Sequence, residues 1–184
     1  MAEAFLRLTA KDRLDALGVA ADLLGRPAHL LEKDVWVVWA IQQLFGSPIG
    51  TNLVFKGGTS LSKAYRVIDR FSEDVDLTFD IRALIPDLLE GREDAMPATS
   101  SEERRWSKRV RKALPEWVAG TIQPILKQAI DREGVDAGLR IDGDKLFIDY
   151  PHLAQGTGYV SPSVMLEFGA RSTGEPASPR DIVC

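Results

Sequence analysis

KGGTSLSKAYRVIDRFSEDVDL, residues 56–77, contains the pattern from which the architecture of this chain is predicted. It follows the short apolar run 52–55 and opens with a Gly-Gly pair, so we predict a buried strand that turns directly into a helix. Beyond that helix the pattern changes to a period of two, in which Asp74 and Asp76 alternate with apolar residues. The two carboxylates should therefore point to one face of a second strand, with α-carbons about 6.5–7 Å apart.

The rest of the chain predicts an α+β fold, with a small mixed sheet, helices before it and a helical segment inserted between its strands. We predict a single domain over residues 1–184, divided into N-terminal helices at 1–50, a catalytic strand–turn–helix–strand unit at 52–80, a helical insertion at 101–133 and later strands at 139–170. Residues 82–101 are weakly patterned and are predicted to be a linker. The insertion should bend or break near Pro115 and Pro124, because proline cannot donate a helical hydrogen bond.

Local signals add detail to three of these segments. Apolar residues at helical spacing predict a first helix that ends at Gly25, namely Leu14, Leu17, Ala21 and Leu24. A second helix ends at Gly46, and its charged triplet at 32–34 is predicted to lie in the first helical turn. Thr59 is predicted to cap a helix over 60–68. A hairpin is predicted around Asp142 and Gly143.

Composition narrows the class of protein. The chain has 184 residues, of which 45% are hydrophobic and 27% charged, as in a globular domain. A net charge of −4 argues against a uniformly basic nucleic-acid binder but allows a local basic patch. Cys184 is the single cysteine, which excludes an internal disulfide and a cysteine-based zinc site. Without a signal-peptide pattern or a membrane-length apolar run, we expect a cytoplasmic protein that has no membrane partner.

The turn at 57–60 suits the binding of phosphate. Gly57 and Gly58 would let the backbone approach a phosphate group, and the hydroxyls of Thr59 and Ser60 could donate to its oxygens. The spacing differs from that of a P-loop. Alone, a Gly-Gly-Thr turn is more often a tight connection between a strand and a helix.

The paired carboxylates suit divalent cations. Asp74 and Asp76 could together hold ions about 3.5–4 Å apart, and oxygen ligands favour Mg²⁺. Glu167 lies on the polar side of a later predicted strand, where it could complete the metal shell or accept a proton. The competing interpretation is a solvated strand face.

Basic residues occur near the carboxylates and in the helical insertion. Lys56 and Arg70 flank the predicted site, although either could simply pair with Glu73 or another local acid. The run 104–112, RRWSKRVRK, is predicted to be a solvated helix face with its apolar residues turned inward. The alternative is contact with an RNA backbone through Arg105, Lys108 and Arg109.

The amino-acid sequences of these motifs resemble those of a known family. KGGTSLSK and RFSEDVDL, preceded by EKDVWVVWAIQQL, are similar to AbiEii/AbiGii-type nucleotidyltransferase toxins of the polymerase-β-like superfamily. FIDYP and VMLEFGAR fit the later strands of that family, so the resemblance spans residues 31–171. It implies a polymerase-β-like fold and transfer of a nucleoside monophosphate from an NTP to RNA, at the 3′ end of tRNA.

The resemblance also implies cofactors, partners and residue roles. It implies two Mg²⁺ ions, NTP as substrate and an antitoxin protein, in a toxin–antitoxin or phage abortive-infection system. It places Asp74 and Asp76 on metal, and it places near the triphosphate the residues Gly58, Thr59, Ser60 and Lys63. Ser72 lies two residues before Asp74, and we hypothesise that a phosphate on its hydroxyl would compete for Mg²⁺ and block the site.

One departure from the family leaves alternatives open. The family continues into a helical lobe with a further lysine and aspartate, whereas this chain ends at Cys184, so we expect a truncated or short member. One alternative is a nucleotidyltransferase that acts on a small molecule or a protein. The other is a non-catalytic fragment that retains the fold and partner binding.

Overall fold

Alternation of buried and polar residues produces five strands that form one mixed sheet. In the computed structural model, residues 2–68, 74–88, 96–154, 161–171 and 177–182 are described. The strands are β1 (Leu53–Lys56), β2 (Asp74–Asp80), β3 (Gly138–Asp142), β4 (Lys145–Asp149) and β5 (Ser163–Arg171). Their order is β1-β2-β5-β4-β3, in which β2 and β5 run parallel and the other pairings are antiparallel. The predicted α+β fold with a mixed sheet is confirmed.

Seven α-helices accompany the sheet in the described part of the chain. They are α1 (Ala2–Leu6), α2 (Ala10–Leu24), α3 (Ala28–Phe45), α4 (Gly57–Lys63), α5 (Ile81–Leu84), α6 (Ser100–Trp117) and α7 (Gln123–Glu133), with 3₁₀ turns at Gly50–Asn52 and Pro86–Leu88. No helix among the described residues combines the length and the apolar character needed to cross a membrane.

The long helical insertion changes its winding where the prolines predicted a break. Pro115 lies inside α6, and Pro124 lies in the first turn of α7. Between them, Val118–Ile122 forms a π-helix that joins the two helices. Because proline has no N–H to donate, the regular bonding pattern is interrupted at both positions. The predicted break does not occur, because α6, the π-helix and α7 follow one another without a gap, and a bend at the prolines stays a prediction.

The core fills one face of the sheet. Alternate residues of β2 and β5 are at most 1% exposed, namely Val75, Leu77, Val164, Leu166 and Phe168. The Trp117 ring of α6 lies 4.4 Å from the Phe79 ring and 5.6 Å from the Phe168 ring, measured between centroids, so α6 packs on this face. On α3, Trp36 and Trp39 are 2% and 0% exposed. The opposite face of the sheet, here called the polar face, carries Asp74, Asp76 and Glu167.

Several local predictions need correction. The spacing of apolar residues correctly predicted α2, but Leu17 is buried while Leu14 and Leu24 are 46% and 61% exposed. The first part of the predicted linker 82–101 is structured, because α5 and the next turn bury Ile85 and Leu88 against the core.

The hairpin turn is also displaced by one residue from its prediction. Asp142 is the register partner of Lys145, so the two loop residues are Gly143 and Asp144. Gly143 has a φ of +61°, which suits glycine in a two-residue hairpin.

Candidate functional site

A row of charged residues crosses the polar face at right angles to the strands. Its members are register partners on successive strands, in the order Lys56, Asp76, Glu167, Lys145 and Asp142. Side chains of directly paired residues project to the same face and lie close together. This charged row therefore places two acids side by side on the parallel strands β2 and β5, with a lysine position on each flank.

Asp74 adds a third carboxylate beside the charged row. It lies two residues before Asp76 on β2, and the intervening Val75 points into the core with 0% exposure. The predicted common direction of Asp74 and Asp76 is thus confirmed. The register of β2 with β5 brings Glu167 directly beside Asp76, a relationship that the strand pattern alone did not specify.

These carboxylates influence one another electrostatically. Burial raises the pKa of Asp76, and the nearby charges of Glu167 and Asp74 raise it further. Each ionised acid thus makes ionisation of Asp76 more costly. A cation at this position would relieve that repulsion.

Lys145 is a member of the site that sequence reasoning missed. Its Nζ lies 3.1 Å from Oε2 of Glu167, and this hydrogen bond and the carboxylate charge raise the pKa of Lys145. A lysine after an Asp-Gly pair is an ordinary feature of a hairpin. The signal becomes visible only when the register aligns Lys145 with Glu167.

The donor chemistry of the three carboxylates fits a hard cation such as Mg²⁺. Oxygen ligands of like charge on one face are what such an ion requires. However, the described residues contain no three Asp, Glu, His or Cys side chains gathered closely enough to form a metal site. One of the carboxylates, Glu167, is bound to Lys145. The metal roles of Asp74, Asp76 and Glu167 stay predictions.

The Gly-Gly turn lies directly against this acidic group. Gly57 follows β1 with a φ of +74°, and a Cβ at this position would lie 1.8 Å from Oδ2 of Asp76. Only glycine leaves that space to the carboxylate without backbone strain. The helix α4, which starts here, contacts both β1 and β2. The turn and the acids are therefore neighbours, while phosphate binding by Gly57 and Gly58 stays a prediction.

The hydroxyl residues of the turn are buried inside α4. Thr59 and Ser60 are 2% and 5% exposed. Oγ1 of Thr59 donates a 2.5 Å hydrogen bond to the carbonyl of Asp74, which joins α4 to the first residue of β2. The prediction that Thr59 caps a helix is wrong, because α4 begins at Gly57 and its N-cap is Lys56. Phosphate contacts from Thr59 and Ser60 stay predictions.

Lys63, at the end of α4, forms an ion pair with Asp34 of α3. Their side chains are 18% and 12% exposed. Burial raises the pKa of Asp34, although the charge and hydrogen bond of Lys63 act in the opposite direction. The structure thus directs Lys63 to α3, and its predicted contact with triphosphate stays a prediction.

Asp34 belongs to a buried charged triplet, Glu32, Lys33 and Asp34, here called the α3 triplet. Both carboxylate oxygens of Glu32 accept a hydrogen bond from the N–H of Leu153 at 3.1 Å, and Oε2 also accepts one from Ala154 at 3.3 Å. Nζ of Lys33 donates to the carbonyl of Ser161 at 3.5 Å.

The position of the α3 triplet corrects the sequence prediction. It was expected in the first helical turn, but α3 begins at Ala28 and that turn contains no acidic residue. Glu32 and Lys33 are each 2% exposed and Asp34 is 8% exposed. The triplet therefore joins α3 to the β4–β5 connection and to α4.

A comparison with protein families decides the assignment. The model of a nucleotidyl transferase family, the AbiEii toxin of a type IV toxin–antitoxin system, matches residues 39–184, which is more than half of the chain. The chain belongs to the AbiEii family. Comparisons with curated proteins and with solved structures gave no match.

The AbiEii match contains every carboxylate of the candidate site and the whole of α4. The family resemblance predicted from the motifs is therefore confirmed, and membership implies an antitoxin as partner. The α3 triplet, by contrast, lies before the first matched residue. The ion pair between Asp34 of the triplet and Lys63 of α4 is therefore observed in the structure and is not implied by the family match.

Other predicted site residues lie elsewhere. The basic residues of α6 are exposed, and two form ion pairs, Arg105 with Glu102 at 3.4 Å and Arg109 with Asp87 at 2.8 Å. Trp106 on the same helix is buried as predicted. Because α6 packs on the core face, it lies across the sheet from the acids, and its RNA contact stays a prediction. Ser72, Arg70 and Glu73 lie outside the described residues.

Proposed function

We propose that this AbiEii-family protein is a Mg²⁺-dependent enzyme that transfers a nucleoside monophosphate from an NTP to RNA, at the 3′ end of tRNA, and thereby inhibits growth. One observation carries the proposal. Asp76 and Glu167 are register partners on adjacent parallel strands, Asp74 lies beside them, and the turn at Gly57 touches Asp76. Carboxylates next to a glycine turn suit the handling of a charged triphosphate.

Each part of the site has a task in this reaction. The turn would approach the triphosphate, while Asp74 and Asp76 would hold two Mg²⁺ ions. When bound, Mg²⁺ supplies neutralisation of the phosphate charge. The acceptor ribose oxygen forms a bond to the α-phosphorus, the bond from that phosphorus to the pyrophosphate oxygen breaks, and pyrophosphate leaves.

The hydroxyl of the acceptor ribose must lose its proton to a base. Glu167 could take that proton, because it lies beside Asp76 on the neighbouring strand. Its partner Lys145 would hold the Glu167 side chain in position through their 3.1 Å contact. A general base contributes typically 10²–10⁴-fold to a rate. Glu167 would alternatively complete the metal shell.

Label transfer tests the proposal. The protein is incubated with each α-labelled NTP, Mg²⁺ and total RNA, and the labelled species are separated. We expect wild type to label RNA in the tRNA size range and Asp74→Ala to lose this activity. Asp142→Ala is the matched control, because Asp142 belongs to the charged row but lies on the outer strand β3.

The remaining outcomes identify the alternatives. Label on a small molecule or a protein instead of RNA would favour that class of acceptor. Calorimetry with NTP and Mg²⁺ separates a non-catalytic fragment, which should bind no nucleotide. Absence of label transfer by wild type, or equal transfer by Asp74→Ala, would contradict the proposal.

A further inference from the structure

A second cross-strand row lies beside the charged row on the polar face. Its register partners are Asp74 on β2, Met165 on β5, Phe147 on β4 and Arg140 on β3. This row, here called the stacking row, has an acid of the candidate site at one end and an arginine at the other. Its two central members are half-buried apolar side chains.

Arg140 lies over the ring of Phe147 in the stacking row. The central carbon of its guanidinium group lies 4.0 Å from the centroid of the Phe147 ring. Nε and Nη2 donate to the carboxylate of Asp149 at 3.3 and 3.4 Å. The ring and the carboxylate thus both contact the guanidinium group, while the side chain remains 56% exposed.

A guanidinium group that is held by two neighbours and is still largely exposed is one on which a nucleobase can stack. Single-stranded RNA is commonly bound through unstacked bases that lie on aromatic rings or arginine planes. The cation–π contact pre-organises the plane.

The location of this plane relative to the acids indicates which substrate it would meet. Neighbouring strands lie about 4.8 Å apart, so Phe147 is about 10 Å and Arg140 about 14 Å from Asp74 across the sheet. The helix α4 and its glycine turn contact β1 and β2, on the other side of the acids. A triphosphate at the turn would leave the β4–β3 side to the acceptor.

We propose that Arg140, supported by Phe147, is a stacking platform for a nucleobase of the acceptor RNA strand. This inference rests on the proposed function, because it assumes that the acceptor is RNA. It extends that function by assigning a binding subsite to residues of β3 and β4. It also assigns the two substrates to opposite sides of the polar face, with the triphosphate on the β1 side and the acceptor RNA on the β3 side.

Binding of short RNA tests the platform. A single-stranded RNA that carries 2-aminopurine near its 3′ end is titrated with wild type, Arg140→Ala and Arg140→Lys. We expect both variants to weaken binding roughly 10- to 100-fold, the effect of losing one stacked base, and to abolish the change in 2-aminopurine fluorescence that accompanies binding. Arg140→Lys is decisive because it keeps the charge and removes the plane.

Two controls accompany this titration. Arg7→Lys and Arg7→Ala alter an arginine that is 60% exposed and paired with Glu3 at 3.1 Å on α1, and we expect no effect on binding. An RNA with an abasic site in place of 2-aminopurine should bind wild type and Arg140→Ala equally. Phe147→Leu, which keeps an apolar side chain beneath Arg140, should weaken binding less than Arg140→Ala.

The contradicting results are distinct from a failure of the proposed function. Wild-type affinity in Arg140→Lys would indicate a phosphate contact and overturn the platform, as would equal losses on the abasic RNA. Label transfer to RNA with an unchanged KM for RNA in Arg140→Ala would also overturn it while the function stands. An Arg140-dependent fluorescence change without any label transfer would contradict the function, and it would leave Arg140 as a residue that stacks on RNA but has no acceptor strand to position.

Discussion

The carboxylate of Asp76 occupies the space that a side chain on Gly57 would need, since a Cβ there would lie 1.8 Å from Oδ2. Gly57 also has a φ of +74°. We therefore expect Gly57→Ala to lower the free energy of unfolding by more than the roughly 1–2 kcal/mol that left-handed backbone costs an alanine. Chemical denaturation measures this loss.

Gly134→Ala is the control for this substitution. Gly134 has a φ of +62°, but no atom lies within 4 Å of its hypothetical Cβ. It should therefore show the backbone cost alone. Equal losses for the two variants would show that the contact with Asp76 is unimportant.

Asp76→Asn should make the protein more stable at neutral pH. Burial, Glu167 and Asp74 raise the pKa of Asp76, so the folded state holds this proton over a range in which the unfolded chain has released it. The resulting stability is fully present below the ordinary pKa of 3.8 and is lost as the pH rises through the folded pKa. Removing the charge eliminates this loss.

Thermal unfolding at several pH values checks that expectation. The variant should gain stability over wild type at pH 7 and show little difference near pH 3. Asp142→Asn, on an exposed position of the outer strand, should show no such gain. A variant that is less stable than wild type at pH 7 would contradict the electrostatic account of this site.

Mg²⁺ should stabilise the wild-type protein, because a ligand that binds only the folded state shifts unfolding by mass action. At 100 times its dissociation constant the shift is about 2.7 kcal/mol. We expect millimolar Mg²⁺ to raise Tm and EDTA to reverse the rise. Asp74→Asn and Asp76→Asn should abolish it, whereas a shift that persists in both variants would place the ion elsewhere.

Lys63→Met should destabilise the fold, because it leaves the carboxylate of Asp34 without its ammonium partner in a mostly buried position. We expect a loss of about 2–4 kcal/mol, below the usual range for a fully buried pair because the charge of Arg26 also acts on Asp34. Urea denaturation of Lys63→Met, Asp34→Asn and the double variant gives the coupling energy. The double variant should recover part of the loss.

An exposed pair provides the comparison. Lys127 contacts Asp131 at 2.5 Å on α7, with side chains 61% and 60% exposed, so Lys127→Met should cost less than about 1 kcal/mol. If Lys63→Met were equally mild, the ion pair with Asp34 would be dispensable. Of the two roles considered for Lys63, the predicted contact with the nucleotide would then be the one that remains.

Reversal of Arg105, Lys108 and Arg109 to glutamate tests the basic surface of α6. If this surface binds RNA, affinity should fall and the slope of log K against log salt should flatten by roughly 2, at about 0.7 for each of three charges. Filter binding at several salt concentrations measures both quantities. Unchanged affinity would leave α6 as a solvated helix face.

Sequence periodicity predicted the strands of the site but not their arrangement. The alternation around Asp76 and Glu167 gave the direction of each side chain, because a strand with one buried face has no other stable pattern. Register, by contrast, depends on which strands are neighbours. The pairing of Lys145 with Glu167 was therefore invisible until β4 and β5 were aligned.

Polar residues whose partners are distant were the hardest to predict. The hydroxyl of Thr59 suited a helix cap, yet it donates to the carbonyl of Asp74, 15 residues later. The carboxylate of Glu32 suited the first turn of a helix, yet its partners Leu153 and Ala154 lie more than 100 residues away. Sequence patterns reflect interactions between residues that are close in the chain. These contacts depend instead on how distant segments pack against one another.

The buried charges of α3 have a consequence for the uniqueness of the fold. From Val35 to Ile41 this helix is apolar and buried on all sides, so hydrophobic burial alone would tolerate rotation about its axis. Successive residues point about 100° apart, and the α3 triplet uses three consecutive directions to reach three separate partners. A rotation of α3 by one residue about its axis would move all three charged groups away from these partners while they stay buried. The α3 triplet therefore fixes the rotation of α3 about its own axis. We expect a one-residue deletion within α3 to lower the free energy of unfolding by more than the apolar composition of the helix suggests.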